Sequence, residues 1–256
     1  MGAAPSSLLR RFHGDEHNEL VKCWCDESFM AGQKSPWPLV LYGPSGTGKS
    51  VLAETLACRL DRNCLRVTGD DFRRQFLAAV ATRSIPAFRQ RLREPSLLLL
   101  DGLAIPPDEP ALIREIVQLL DDLDEKNRPV IATMIQLPEA NATLGGLRSR
   151  LSAGLVIELR RPGQAARRQI AAELLDHFEL KILDEDLDWW SRWLPATAPM
   201  IRSRISQIAL AATDPLLTRT TIRSLLASSS SQPDPRMIHE LVKLTGRQFG
   251  PVSYTH

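Results

Sequence analysis

The stretch WPLVLYGPSGTGKS (37–50) decides the fold. Its first seven residues form a short apolar run that ends in glycine, which predicts a buried strand. The last eight match the pattern G-x-x-x-x-G-K-[ST] in full, and apolar residues recur at helical spacing in KSVLAETLACRL (49–60). Since the pattern lies between a strand and a helix, it predicts a loop whose backbone N–H groups surround phosphates.

Strand and helix patterns alternate on both sides of this loop. The further strand patterns are NCLRVTG (63–69), SLLLLD (96–101), PVIATMIQ (129–136) and AGLVIEL (153–159). The helix patterns between them include DDFRRQFLAAVA (70–81) and PALIREIVQLLDDLDEKN (110–127). In the first of these we expect Asp70 or Asp71 at the N-terminus and one apolar face of Phe72, Phe76, Leu77 and Val80. The alternation predicts an α/β fold, a parallel sheet with flanking helices.

After RRPG (160–163) only helical patterns follow, at 164–178, 184–194, 198–212 and 220–228. Pro162-Gly163 is the expected hinge. We therefore predict three parts: an α/β nucleotide-binding domain at 1–161, a small α-helical lid domain at 162–228, and a linker with a short last segment at 229–256.

The distribution of apolar residues and cysteines excludes some classes of protein. No apolar run reaches the length that spans a membrane, and the N-terminus lacks the apolar core of a signal peptide. Four cysteines without a C-x-x-C pair predict reduced thiols, so we expect a cytoplasmic protein without a membrane partner. The net charge of +2 neither requires nor excludes nucleic acid.

The predicted site combines the loop with one carboxylate. Lys49 would neutralise phosphate charge, and the Ser50 hydroxyl would ligate Mg²⁺. Asp101 ends a strand at the sheet edge where ligands bind in α/β folds, so we expect it to anchor the same Mg²⁺. The residues expected to bind ATP are Gly43, Pro44, Ser45, Gly46, Thr47, Gly48, Lys49 and Ser50.

Gly102 follows Asp101 and cannot polarise water. General-base assistance typically contributes about 10² to 10⁴-fold to a rate. The glycine therefore predicts slow turnover without loss of nucleotide binding.

With these motifs and a helical lid, the chain resembles the AAA+ superfamily, and in finer features the bacterial replication initiator DnaA and its relative Hda. The resemblance covers about residues 10 to 230. FHGDEHNEL (12–20) is similar to the segment that touches the adenine side in that family. LRSRL (147–151) resembles its arginine motif, which implies that Arg150 is the arginine finger on a neighbour's γ-phosphate. MIRSRISQIAL (200–210) is similar to its sensor-2 helix and implies Arg202, or Arg204, as the lid arginine.

The chain departs from that family at four places. Gly102 stands where a second acid is usual, Ile135 stands where a polar sensor-1 residue is usual, with Thr133 and Gln136 nearby, and Gly146 replaces an additional arginine. The family's DNA-binding domain would begin in IHELVKLTGRQFG (238–250), and the sequence ends at His256.

The leading hypothesis is an ATP-gated assembly module that initiates or regulates DNA replication, with slow or absent hydrolysis. Its expected partners are further copies or DnaA-like AAA+ proteins through Arg150. Single-stranded DNA is a second candidate partner, through the arginines at 83–93. One alternative is an active ATPase of DNA metabolism that uses Asp108 or Glu109, and another is a P-loop small-molecule kinase.

Overall fold

Five parallel strands form the central sheet, in the order β2-β3-β4-β1-β5. They are β1 (Leu39–Tyr42), β2 (Cys64–Thr68), β3 (Leu97–Asp101), β4 (Val130–Met134) and β5 (Leu155–Glu158). All five lie inside segments predicted as strands, and β5 is an edge strand beside β1. The predicted α/β parallel sheet is thus confirmed.

The structure is a computed structural model that describes residues 12–18, 21, 37–60, 63–139, 141 and 143–228. The linker and short last segment predicted at 229–256 lie outside these residues. The described chain divides into two compact units, the first up to residue 170 with 196–198 and the second from 171 to 195 and from 199 onward. The domain boundary predicted after residue 161 stays a prediction.

Six helices of the first unit connect or follow the strands. They are α1 (Lys49–Leu60), α2 (Gly69–Ala81), α3 (Ile85–Arg93), α4 (Pro110–Glu125), α5 (Gly145–Leu151) and the first half of α6 (Gln164–His177). Helix α2 begins one residue before the predicted start, and Asp70 and Asp71 both lie in its first turn, as expected. Its N-cap is Thr68, whose hydroxyl accepts a hydrogen bond from the Asp71 N–H at 3.1 Å.

The apolar face predicted for α2 was wrong at two of its four positions. Phe72 and Phe76 are buried, but Leu77 is 48% exposed and Val80 is 51% exposed. The buried face of α2 is therefore narrower than the predicted one. Its two phenylalanines pack against the Phe88 ring of α3, whose centroid lies 5.4 Å from the Phe72 ring and 6.1 Å from the Phe76 ring.

Hydrophobic side chains cover both faces of the sheet. Within β3, Leu98 and Leu100 belong to a cluster with α2, α3 and α4, whereas Leu97 and Leu99 belong to a second cluster with α1. Successive residues of a strand point to opposite faces, so a strand buried on both faces must be apolar throughout. This double burial explains the run of four leucines before Asp101.

The second unit contains the end of α6, α7 (Asp184–Ser191), α8 (Ala198–Ala211) and α9 (Arg219–Ser228). The expectation of helices alone was wrong, because β6 (Lys181–Ile182) and β7 (Leu216–Leu217) form a short parallel ladder. Strands of two residues are too short to leave a periodic pattern in the sequence.

The three tryptophans of this unit have different environments. Trp190 is buried, Trp193 is 73% exposed, and Trp189 lies under the guanidinium groups of Arg223 and Arg219, at 5.0 and 5.8 Å from its ring centroid. They therefore do not share one apolar surface. In the part of the chain that the structure describes, no helix is long and apolar enough to cross a membrane.

Gly154 is the position where the sheet tolerates a side chain least. A Cβ there would lie 2.1 Å from the Pro38 carbonyl oxygen and 2.5 Å from the Trp37 carbonyl carbon, both backbone atoms. We expect Gly154→Ala to lower the free energy of unfolding by about 1–3 kcal/mol, because β5 must shift away from β1. Urea denaturation followed by circular dichroism measures this.

Gly145→Ala is the matched control. Gly145 begins α5, and a Cβ there meets no atom within 4 Å. We expect this variant to be as stable as the wild type, or more stable by up to about 1 kcal/mol, since alanine favours helix. Equal stability of the two variants would contradict the packing described at Gly154.

Candidate nucleotide-binding site

The loop between β1 and α1 is fixed to two neighbouring strands. The Gly43 N–H donates to the carbonyl oxygens of Met134 and Ile135, at 3.2 and 3.1 Å. A Cβ at Gly43 would lie 2.2 Å from the Leu159 carbonyl oxygen, and its φ of +143° favours glycine. Only glycine therefore lets the chain leave β1 at this point.

The N-terminal segment 12–18 lies against the same loop. A Cβ at Gly48, where φ is +93°, would lie 3.0 Å from the Phe12 ring. The buried Asp15 carboxylate accepts a hydrogen bond from the Gly163 N–H at 2.6 Å, and the Asn18 side chain bonds the backbone of Arg160. The segment is thus held beside the loop, and its contact with the adenine side of a nucleotide stays a prediction.

Lys49 closes over the loop from the first turn of α1. Its ammonium donates to the carbonyl oxygens of Gly43 and Pro44, at 2.7 and 2.8 Å, and the Thr47 hydroxyl donates to Pro44 at 3.0 Å. Burial lowers the pKa of Lys49, and the nearby Asp101 carboxylate opposes that shift. The ammonium is half-buried and charged, so phosphate oxygens would be stronger partners than these neutral carbonyls.

Asp101 receives hydrogen bonds from three different elements. Its Oδ1 accepts from the hydroxyls of Ser50 on α1 and Thr133 on β4, both at 2.7 Å, and its Oδ2 accepts from Arg66 Nη2 on β2 at 2.6 Å. Burial raises the pKa of the carboxyl, but the hydrogen bonds from Thr133, Ser50 and Arg66 outweigh burial and lower it. Asp101 is therefore ionised and held in one orientation.

The residue after Asp101 contributes no side chain to the site. Gly102 has φ +68°, its N–H donates to the Thr133 hydroxyl at 2.7 Å, and a Cβ there would meet nothing within 4 Å. Ile135, at the other departure from the AAA+ pattern, is 63% exposed and apolar. Neither position offers a group that can orient water.

A cleft of about 880 Å³ opens beside the loop. Ser45, Gly46, Lys49 and Ser50 form one side, and residues 102–107 and 133–139 with Asn141 and Leu144 form the rest. Among the described residues that line it, the one carboxylate is Glu139.

The two acids proposed for an active ATPase do not line this cleft. Glu109 is engaged by Arg73, whose Nε lies 2.7 and 2.9 Å from its two carboxylate oxygens. Asp108 is exposed in the loop before α4. Hydrolysis assisted by either acid would require the loop at 106–109 to move toward Lys49.

The two arginines implied by resemblance occupy different units. Arg150 lies at the surface of α5, and its guanidinium pairs with both carboxylate oxygens of Asp121 on α4, at 2.8 and 3.0 Å. Arg202 is exposed on α8, in the second unit, and Arg204 is less exposed. Their roles stay predictions.

The donor groups fit a nucleotide and a magnesium ion. Phosphates suit the loop, because its glycines leave the backbone uncovered and Lys49 supplies charge. Mg²⁺ keeps several waters and takes few protein oxygens, so the Ser50 hydroxyl and the Asp101 carboxylate suffice beside phosphate oxygens. Among the described residues, no group of three or more acids, histidines or cysteines could hold a metal ion.

Sequence reasoning missed Arg66 as a site residue. It is a charged residue within a strand that is otherwise apolar or small, CLRVT, and that irregularity was the available signal. Thr133 was noticed only as a polar residue near Ile135, whereas its buried hydroxyl links Asp101 to the Gly102 backbone.

The model of the bacterial DnaA ATPase domain family matches residues 15–158. The chromosomal replication initiator protein DnaA of Treponema denticola is 27% identical over 156 residues, 59% of this chain and 33% of that protein. DnaA of Chloroflexus aggregans is 25% identical over 178 residues, 67% of this chain and 37% of that protein. The chain thus spans about a third of the length of these curated relatives.

Solved structures show the same fold. Domain III of Thermotoga maritima DnaA superposes with a TM-score of 0.72 at 18% identity, over 85% of this chain and 94% of that one. DnaA of Aquifex aeolicus bound to AMPPCP gives 0.66 at 20% identity, over 92% and 71%. A DnaA bound to AMPPCP and single-stranded DNA gives 0.65 at 19% identity, over 93% and 72%. The predicted AAA+ architecture with a helical C-terminal part is confirmed, and because the family model covers more than half of the 256 residues, the chain belongs to the bacterial DnaA ATPase-domain family.

Proposed function

We propose that this chain is an ATP-gated assembly module that acts in the initiation of chromosomal replication or in its regulation. It binds ATP with Mg²⁺ and hydrolyses ATP slowly or not at all. The observation that carries the proposal is the loop 43–50, with Lys49 above it and Asp101 aligned by Ser50. Family membership and the names of the relatives support the link to replication.

The loop accounts for nucleotide binding. Phosphate oxygens would take the place of the Gly43 and Pro44 carbonyls as partners of the Lys49 ammonium, and the N–H groups at the start of α1 would add donors. Ser50 and Asp101 would hold the metal ion between them. Phe12 and His13 would border the base, since they lie against Gly48 and Thr47 in the first unit.

The absence of an acid at position 102 supports slow hydrolysis. A water molecule in line with the γ-phosphate needs a carboxylate or an amide to orient it, and Gly102 and Ile135 offer neither. Neither position contributes a side chain to the hydrogen bonds of Asp101, which come from Ser50, Thr133 and Arg66. Binding and hydrolysis are therefore separable in this site.

Arg150 supports assembly through its exposed ion pair with Asp121. The Arg150 and Asp121 side chains are 40% and 44% exposed. Exposed pairs contribute about 0–1 kcal/mol, so a more highly charged phosphate on a neighbouring subunit would draw Arg150 away at little cost. In the assembly Arg150 would contact the γ-phosphate bound by a neighbouring subunit, and in the single chain it pairs with Asp121.

Binding of single-stranded DNA through the arginines at 83–93 stays a prediction. Of the four arginines at 83–93, Arg89 pairs with Glu115 at 2.8 and 2.7 Å, Arg91 with Gln75, and Arg93 with Asp122. The carboxylates of Glu115 and Asp122 on α4 neutralise Arg89 and Arg93, which lowers the positive charge available for a phosphate backbone. The relative bound to single-stranded DNA keeps this partner in the proposal.

The first test of the proposal is ATP binding by Lys49→Ala. Loss of a charged partner costs about 1.5–3 kcal/mol, so we expect the affinity for a fluorescent ATP analogue to fall about 10- to 100-fold. Arg59→Gln is the control, because Arg59 lies at the other end of the same helix and is exposed. Wild-type protein that binds no ATP would refute the proposed function.

The second test is phosphate release by protein saturated with ATP. We expect turnover about 10² to 10⁴-fold below that of a site with a water-orienting acid, and we expect Asp108→Asn to change nothing. Glu139→Gln is the decisive companion variant, because Glu139 is the acid in the cleft. Steady turnover that collapses in either variant would instead establish the active ATPase.

The third test is ATP-dependent self-association of Arg150→Ala. We expect ATP affinity to stay within about twofold of the wild type and the association constant to fall at least about tenfold, as measured by sedimentation velocity. Arg114→Ala is the matched control, since Arg114 is an exposed arginine on α4, the helix that carries Asp121. Equal association of all three proteins would rule out Arg150 as the finger.

A further inference from the structure

Arg66 is a cation that the structure brings to the carboxylate expected to anchor the metal ion. It belongs to β2, which lies beside β3 with Thr68 opposite Asp101, so its side chain reaches the end of β3 from two residues earlier in the strand. Its guanidinium bonds Asp101 at 2.6 Å and also pairs with Glu54 on α1. The Asp101 and Glu54 side chains are 8% and 12% exposed, so neither acid is neutralised mainly by water.

The oxygen atoms of Asp101 are already engaged. Oδ1 accepts two hydroxyl hydrogens and Oδ2 accepts a guanidinium hydrogen, so at least three of about four lone-pair positions are in use. A carboxylate that holds the waters of a metal ion uses those same lone pairs. Arg66 thus competes for Asp101 at short range.

The charges around Asp101 balance without a metal ion. Asp101 and Glu54 are acids, and Arg66 and Lys49 are bases, so these four groups sum to zero. Without Arg66 the same groups would sum to minus one, and the local field would attract a divalent cation. With ATP bound, Arg66 thus offsets one of the negative charges that would otherwise repel the triphosphate when Mg²⁺ is absent.

We propose that Arg66 takes over the charge-neutralising part of the magnesium ion at Asp101, so that this site binds nucleoside triphosphate with little dependence on Mg²⁺. The inference rests on the proposed function, since it presumes ATP at loop 43–50. Arg66 is a positioning residue, because it changes the metal requirement of the site through Asp101 and Glu54.

The test is a titration of the full chain with fluorescent ATP, once with millimolar Mg²⁺ and once with EDTA. We expect the wild-type dissociation constant to differ by less than about threefold between the two conditions. In Arg66→Gln, which keeps hydrogen-bond donors and removes the charge, we expect binding to weaken at least about tenfold in EDTA. Arg66→Lys restores the charge and should behave as the wild type.

Arg74→Gln is the control, because Arg74 is an arginine of α2 with a side chain 75% exposed. The proposal would be overturned if EDTA weakened ATP binding by the wild type as much as binding by Arg66→Gln. It would also be overturned if EDTA left ATP binding by both proteins unchanged. Should Arg66→Gln fail to fold, the wild-type titration alone decides, since a tenfold loss in EDTA contradicts the inference. If the wild type bound ATP under neither condition, the proposed function itself would fail. In that case the ATP affinity of the wild type would be as low as that of Lys49→Ala.

Discussion

The buried carboxylate of Asp101 is the constraint on which the site depends. It ends a strand that is covered on both faces, so water cannot solvate it and protein donors must. Those donors come from α1, β4 and β2, and they meet at one point because parallel strands bring their carboxyl ends to the same sheet edge. Breaking the order of the sheet would separate them.

Thr133 transmits this constraint to the backbone. Its hydroxyl donates to Asp101 and accepts from the Gly102 N–H, and its carbonyl oxygen accepts from the Leu103 N–H at 2.7 Å. The chain is thereby turned out of the sheet immediately after the carboxylate. That turn uses a positive φ at Gly102, and it places no side chain where a water-orienting acid would stand.

Arg66 and Arg150 both pair with acids, but the surroundings of the two pairs differ, and that difference separates the proposed roles of the two arginines. Arg66 meets acids that are largely buried, where charge interactions are strong and a lost partner is costly. Arg150 meets Asp121 at the surface, where solvent screens the pair and partners exchange readily. The pairs of Arg66 suit permanent neutralisation of the acids in the site. The pair of Arg150 and Asp121 suits a contact that a phosphate on a second subunit can replace.

The sequence by itself determined the phosphate-binding loop, the five strands and the carboxylate at the end of β3, because these depend on local patterns. A glycine-rich loop needs φ values that its own residues permit, and a doubly covered strand must be apolar along its whole length. It also determined the absence of an acid at position 102. Only the tertiary structure decided which donors meet Asp101, that Arg66 on β2 is among them, and that Arg150 pairs with Asp121. Those contacts join residues up to 51 positions apart, and the order of the strands that brings them together leaves no local pattern.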